Sequence, residues 1–414
     1  MGVAMGRRRW AVVSLGMMVG GYLALAALTQ LANLPEGKAA AGGSEEYTLP
    51  SLEEVIQSVH DLDVQRVLRM YSAQHEEVPP GTPHVRVIVT STWRSGSTFL
   101  AEILASHPGV YYHYEPLMPY GLQQLHPHAA DFGVRDLVIC VALEVLNTVC
   151  LPIRLPLTTH SPFFQDEVQG LLQTILKCDY HNLDEYLKFA YVNHDMFMRN
   201  TRLWSMCSAM PRTKCYNPDT LARLCSLFPV HVMKVVRARL ELLAPLLRDP
   251  TVKLVWLVRD PRAVMSSRAS SVTWCDTLAC KDPGYLCSDL LLDYRTYRLL
   301  QEERPDQVLL VRYEDLARDP YGKSREVLEF AGLTFHKRVR EYLDDHLTSD
   351  EDEPWSTRHD PKTRVGRWMK LMKFDDVVKT QYHCKAIMKN LGYRLFASPN
   401  DMDAGNAVGH LNLP

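Results

Sequence analysis

Residues 85–100 read VRVIVTSTWRSGSTFL. Val85, Val87, Ile88 and Val89 make a short apolar run of strand composition, Ser91–Ser97 is a polar loop, and Thr98–Leu104 is suited to a helix. A strand–loop–helix unit aims free backbone N–H groups and the positive end of a helix dipole at one point, which is an anion site. Arg94 adds a fixed charge whose fork matches phosphate or sulfate oxygens. Gly96 lets the backbone approach a ligand, and Ser95, Ser97 and Thr98 add hydroxyl donors. The stretch is not a Walker loop, because it has one glycine and carries arginine where that motif needs lysine. Taken alone, RSGST also reads as an ordinary turn with a helix cap.

A second segment favours the ligand reading. Residues 252–267 read VKLVWLVRDPRAVMSS. Leu254–Val258 is another apolar strand, Arg259 and Asp260 follow at its carboxyl end, and Pro261 suits a first helical turn. Ser267 lies eight residues after Arg259, about two turns into that helix. In parallel α/β sheets ligands bind beyond the carboxyl ends of strands. Two such ends with arginine and hydroxyls suit a ligand with phosphate at both ends. The plainer alternative is a local ion pair capping the helix.

The pair TWRSGST and LVRDPRAVMSSR resembles the 5′- and 3′-phosphate-binding motifs of sulfotransferases that use 3′-phosphoadenylyl sulfate (PAPS). Further segments are similar to the Golgi carbohydrate sulfotransferases, specifically the galactose/N-acetylglucosamine/N-acetylgalactosamine 6-O-sulfotransferases. They are HPGVYYHYEPL (His107–Leu117), MKVVR (Met233–Arg237), VRYEDLARDP (Val311–Pro320) and the closing LGY (Leu391–Tyr393). The matches keep their order over about residues 84–397. The tail WSTRHDPKTRVGRWMK follows the family pattern loosely, and residues 121–210, where acceptor specificity is expected, match little.

The resemblance implies sulfuryl transfer from PAPS to a sugar hydroxyl, with in-line attack and catalysis mostly by positioning and electrostatics. It carries cofactor-binding roles onto Thr92, Trp93, Arg94, Ser95, Gly96, Ser97 and Thr98 at the first loop. At the second they fall on Arg259, Asp260, Pro261, Arg262, Ser266 and Ser267. Arg94 would also stabilise charge on the leaving oxygen. Glu115 is the expected base, with a pKa raised by burial; the alternative is that it only hydrogen-bonds the acceptor or pairs with an arginine. His113, expected on the same strand face, is a weaker candidate. Lys234 and Arg237 could touch acceptor anions or the cofactor, or simply face solvent. Tyr313, Glu314 and Asp315 read as structural. The basic stretch Trp355–Arg367 (Arg358, His359, Lys362, Arg364, Arg367) reads as a cover for the cofactor, a contact for a sulfated glycan or a solvated loop. No metal is expected.

Strands near Val85, Tyr111, His231, Leu254 and Val308, with helices between, predict an α/β, P-loop-like sulfotransferase fold: a central parallel sheet of about five strands flanked by helices. Other expected helices are Asp184–Ala190, Leu240–Leu247, Ser324–Ala331 and Val377–Leu391, and Asp131–Leu151 reads as an apolar, buried segment. At 414 residues and a net charge of −2, the chain can bury a full core and gives no general sign of nucleic-acid binding.

Arg7, Arg8 and Arg9 precede Trp10–Leu34, a run without charge and long enough to span a bilayer. A type II signal anchor is expected, with a cleaved signal peptide as the alternative, and either places the body in the lumen. The expected organisation is a cytosolic tail (1–9), transmembrane anchor (10–34), stem (35–83), catalytic domain (84–397) and C-terminal tail (398–414), in a Golgi membrane. Helical spacing over Leu52–Tyr71 in the stem permits a homodimer. Of ten cysteines, nine lie between Cys140 and Cys287 in no zinc-like spacing. In an oxidising lumen disulfides are expected, with Cys207, Cys215, Cys225, Cys275, Cys280 and Cys287 as participants. There is no Asn-x-Ser/Thr sequon. The partner expected is a glycan or glycosaminoglycan. Two other functions remain open: a tyrosylprotein sulfotransferase and a non-catalytic lumenal nucleotide-binding protein.

Overall fold

The structure, a computed structural model, describes residues 85–121, 124–125, 134–143, 146–156, 164–208, 212–271, 276–349, 356–358, 360–403, 407 and 409. The expected anchor, the stem, Trp355 and His359 lie outside the described residues. Among the described residues no helix is long and apolar enough to cross a membrane.

Five strands form one parallel sheet: β1 (Val85–Thr90), β2 (Val110–Tyr114), β5 (Val230–Val235), β6 (Val252–Val258) and β7 (Val308–Arg312), in the order β2-β5-β1-β6-β7. The Val- and Leu-rich strands β1, β6 and β7 fit burial on both faces. Side chains alternate between two cores. Ile88, Met233, Leu254 and Trp256 pack on one face with Leu172, Leu221, Leu290 and Ile387. Val87, Val89, Val232, Val255 and Leu257 pack on the other with Leu100, Leu104, Val327 and Leu343. A period of two thus yields a three-layer fold.

Six helices matter below: α1 (Ser97–Ala105), α2 (Pro261–Ser271), α3 (Pro283–Glu303), α4 (Tyr313–Arg318), α5 (Lys337–Thr348) and α6 (Phe374–Asn390). Within and beyond the apolar stretch 131–151 the chain forms an antiparallel pair, β3 (Val134–Leu143) and β4 (Leu146–Pro156), with Cys140 opposite Cys150. The expected helix at 240–247 ends after Leu243 and continues as a 3-10 turn to Arg248, because Pro245 cannot donate to the ladder. The last described residues pack on the body: Met402 and Ala407 are buried, and Arg312 donates to the Gly409 carbonyl.

Disulfides join Cys178 to Cys225, Cys207 to Cys215 and Cys287 to Cys384, and Cys280 is also disulfide-bonded. Cys178 and Cys384, unassigned from sequence, are therefore partners of two expected participants.

Candidate active site

In an all-parallel sheet the carboxyl ends of the strands open on one edge. Here that edge holds the Ser91–Gly96 turn after β1, Glu115 after β2, Lys234 on β5, Arg259 after β6 and Tyr313 after β7. A cavity of about 480 Å³ lies among them. Trp93, Arg94, Gly96, Ser97, Thr98, Glu115, Arg259, Ser266 and Ser267 all line it. Segments separated by some 160 residues therefore meet in one site, as the two motifs imply.

The first loop is shaped by two residues with positive φ, Arg94 at 73° and Gly96 at 91°. They turn the chain so that α1 starts pointing into the cavity, and no side chain caps its N-terminus. Its first amides thus face the cavity, where an anion would be held. Thr92 and Ser95 are not on the wall. Their hydroxyls lie 2.9 Å apart and the Ser95 N–H donates to the Thr92 carbonyl, so they shape the turn.

Arg94 Nε donates to Ser267 Oγ at 3.1 Å, joining the first loop to α2. Burial, and next the like charge of Arg259, pull the Arg94 guanidinium below its ordinary pKa. Arg259 donates to the carbonyls of Arg94 (3.1 Å) and Arg364 (3.0 Å), and its Cζ stands 4.4 Å from the centre of the Tyr313 ring. Its Nε is buried and has no hydrogen-bond partner, as is the indole N–H of Trp368, another wall residue. Two buried donors and mutually repelling arginines are what an anion would satisfy.

Asp260, Pro261 and Arg262 do not line the cavity. Asp260 accepts from the Arg262 backbone N–H (2.9 Å), capping α2, and its carboxylate chelates the same guanidinium at 3.0 and 2.7 Å. Arg262 is fully buried, packed on Trp368 and Phe396, and donates to Gln381 on α6. Their part is to hold α2. The ion pair at this helix start joins Asp260 to Arg262, not to Arg259, and leaves Arg259 for the cavity.

Glu115 is 8% exposed and has a φ of 43°. That turn breaks the strand alternation, so His113 does not share its position. His113 is buried on the other side of the strand against His231 and Tyr180. The expectation of a raised Glu115 pKa is also corrected. Burial does push it up, but the charges of Lys234 and Arg237, and the hydrogen bonds both donate to the carboxylate, hold it down to about 2. The β2–β5 register places Tyr114 opposite Lys234, which brings Lys234 beside the next residue. Both cations are buried, so the solvent-facing alternative fails for them.

Arg199, Tyr313 and Trp368 line the cavity without having been singled out as site residues, and Arg364 and Arg367 bring the basic C-terminal stretch onto the wall. Arg358 instead pairs with Asp345 at the surface. Of the neighbours of Tyr313, Glu314 accepts from the Asp260 N–H and from the Tyr393 hydroxyl, both at 2.9 Å, and Asp315 grips Arg312. Those two are structural, as expected. Among the lining residues are six cations (Arg94, Arg199, Lys234, Arg259, Arg364, Arg367) and one carboxylate, Glu115. Such a wall favours a multiply charged anion.

A family model described as "Sulfotransferase family" matches residues 167–337, which include Arg259, Ser267 and Tyr313. Over those residues the chain is similar to that family. Among curated proteins it is similar to carbohydrate sulfotransferase 1 of Danio rerio, 27% identical over 76% of this chain and 79% of that protein. It is also similar to carbohydrate sulfotransferase 6 of Homo sapiens, 27% identical over 76% of this chain and 82% of that one, and to carbohydrate sulfotransferase 5 of Mus musculus, 26% identical over 78% and 85%. Solved structures it matches include the sulfotransferase domain from the curacin biosynthetic pathway (16% identity, 76% of this chain and 99% of that one, TM-score 0.37). Another is retinol dehydratase in complex with androsterone and inactive cofactor PAP (16% identity, 78% and 84%, TM-score 0.35).

Proposed function

We propose that this protein transfers a sulfuryl group from PAPS to a sugar hydroxyl of a glycoprotein glycan or glycosaminoglycan, at the 6-position of galactose, N-acetylglucosamine or N-acetylgalactosamine. The observation that carries this reading is the hydrogen bond from Arg94 to Ser267, which makes one cavity wall of two separate anion-holding motifs. The sugar acceptor follows from the carbohydrate sulfotransferases among its relatives.

The residues present fit the nucleotide. When bound, PAPS supplies an activated sulfuryl group. Arg94 and the first amides of α1 hold its 5′-phosphosulfate, and Arg94 stabilises the charge that builds on the leaving oxygen. Arg259, Ser266 and Ser267 hold the 3′-phosphate, where the unpartnered Arg259 Nε finds an acceptor. Arg364 and Arg367 add charge from the C-terminal side. Glu115 accepts a hydrogen bond from the sugar hydroxyl and orients it. With its pKa near 2 it takes the proton late, once attack on sulfur has made that hydroxyl strongly acidic. The body works in the Golgi lumen behind a single-pass anchor at residues 10–34, a placement supported by that apolar run and by the disulfides.

The test uses the lumenal chain with labelled PAPS, a panel of chondroitin, keratan and short Gal- or GlcNAc-terminated acceptors, and a tyrosine peptide. Label on a glycan is expected, and linkage analysis then reads the position. Label on the peptide alone would make the protein a tyrosylprotein sulfotransferase. Nucleotide binding without transfer to any acceptor would favour a binding protein. Intact PAPS binding and turnover in Arg94→Ala would overturn the site.

A further inference from the structure

Glu102 is not on the cavity wall, yet it holds two pieces of it. It lies on α1, between the anion loop and the core, with its side chain 13% exposed. One carboxylate oxygen accepts from Arg199 Nη1 at 2.6 Å. The other accepts from the Tyr342 hydroxyl on α5 (3.0 Å) and from Thr357 Oγ1 (2.8 Å). An ionised carboxylate has about four acceptor sites, enough for all three. These partners come from segments 97, 240 and 255 residues away. Arg199 and Thr357 both line the cavity, and Phe99, three residues before Glu102, lines it while packing on the Tyr342 ring.

Arg199 stands at the Glu115 end of the cavity. Its Cζ lies 5.9 Å from the centre of the Tyr114 ring, and Lys234 Nζ lies 4.4 Å from the same ring. Arg94 also acts on Tyr114 and joins this end to Arg259 and Ser267. An Arg–carboxylate pair fixes a guanidinium in direction as well as in charge. We propose that Glu102 is a positioning residue: it holds Arg199 and residues 356–357 against the cavity, and through Arg199 it sets the affinity for the acceptor. This rests on the sulfotransferase reading above.

The experiment measures KM and kcat for the labelled glycan acceptor, and the Kd of PAP, in wild type, Glu102→Gln, Glu102→Asp, Arg199→Gln and the Glu102→Gln/Arg199→Gln pair. Glu102→Gln and Arg199→Gln should each raise acceptor KM by about tenfold, with kcat and PAP affinity changed by less than about threefold. The double variant should lose little more than either single one, and Glu102→Asp should recover part of the loss. Unchanged acceptor KM in Glu102→Gln, or fully additive losses, would overturn the proposal. Should Glu102→Gln not fold, Arg199→Gln decides in its place, because an unchanged KM there is equally fatal. Absence of turnover in wild type points instead to failure of the sulfotransferase reading, so the two failures are distinct.

Discussion

The ring of Tyr313 occupies the space that a side chain at residue 96 would need. A Cβ built on Gly96 would lie 2.5 Å from the ring's Cδ2, and the φ of 91° there is one that L side chains rarely adopt. The other side of the relationship is Arg259, whose guanidinium stacks on the same ring. One aromatic plate thus sets the spacing between the anion loop and the second arginine.

Gly96→Ala should therefore push the ring and the loop apart. We expect PAP affinity to fall by about tenfold or more, since the αL conformation alone costs about 1–2 kcal/mol for a residue with a Cβ. Titration calorimetry with PAP checks this. Wild-type affinity in Gly96→Ala would show that the contact does not control the loop.

The Arg94–Ser267 hydrogen bond makes a second prediction. Ser267→Ala removes the acceptor that directs Arg94 and, in the proposed site, a donor to the 3′-phosphate. A loss of about tenfold in PAP affinity is expected. In the Arg94→Ala background the same change should cost much less, because the partners share one network. Equal costs in both backgrounds would separate the two motifs energetically.

Glu115 is the counter-charge that two buried cations share, and this gives its replacement a structural signature. Glu115→Gln leaves Lys234 and Arg237 without their shared counter-charge, at a cost of about 3–5 kcal/mol in folding stability. Urea denaturation reads that loss directly. A carboxyl held to about 2 also stays ionised through the working range, so kcat/KM should show no acid limb from Glu115 between pH 4 and 7. An acid limb in that range that vanishes in Glu115→Gln would restore the raised-pKa base.

How much of this was legible beforehand depended on locality. Strands β1 and β6 are mostly apolar runs, and the anion loop and α2 follow them within a few residues, so Arg94, Arg259 and Ser267 could be read from their segments. The Glu115 environment could not. Its two cations are more than a hundred residues away and reach it only because β2 pairs with β5, a strand order that periodicity does not encode. Arg199 carries no local signature either; its partner Glu102 lies 97 residues away. Asp260 and Arg262 sit inside a ligand-like motif but satisfy one another, and only packing reveals that.

Three buried histidines predict the response to acid. His107 is held down to about 3, first by burial and then by the charges of His336 and Arg202. His231 is held down to about 4 chiefly by burial, and His113 is lowered well below the ordinary value by burial and by His231. Their folded pKa values lie below the unfolded value of about 6.5. The unfolded chain therefore binds these protons first, and stability present above pH 6.5 is lost as pH falls toward 4. The urea midpoint should drop between pH 7 and 5. His107 Nδ1 accepts from the Gly109 N–H, so His107→Asn, which keeps an acceptor there, should flatten the slope. An unchanged slope would remove His107 from the account.

The disulfides should differ in worth according to the chain they close. Cys287–Cys384 spans 97 residues and ties α3 to α6, whereas Cys207–Cys215 spans 8. Loop-closure entropy gives about 5 kcal/mol for the longer loop and about half of that for the shorter. Cys287 and Cys384 are also both buried, so their removal disturbs packing as well. The longer bridge reaches the site too, since α6 carries Gln381, the acceptor for the Arg262 guanidinium that holds α2. The Cys287→Ala/Cys384→Ala pair should thus lower the unfolding midpoint more than Cys207→Ala/Cys215→Ala, and should alone weaken PAP binding. Equal midpoints and equal PAP affinities in the two double variants would mean that α6 is held by its packing, with the bridge adding nothing to the position of α2.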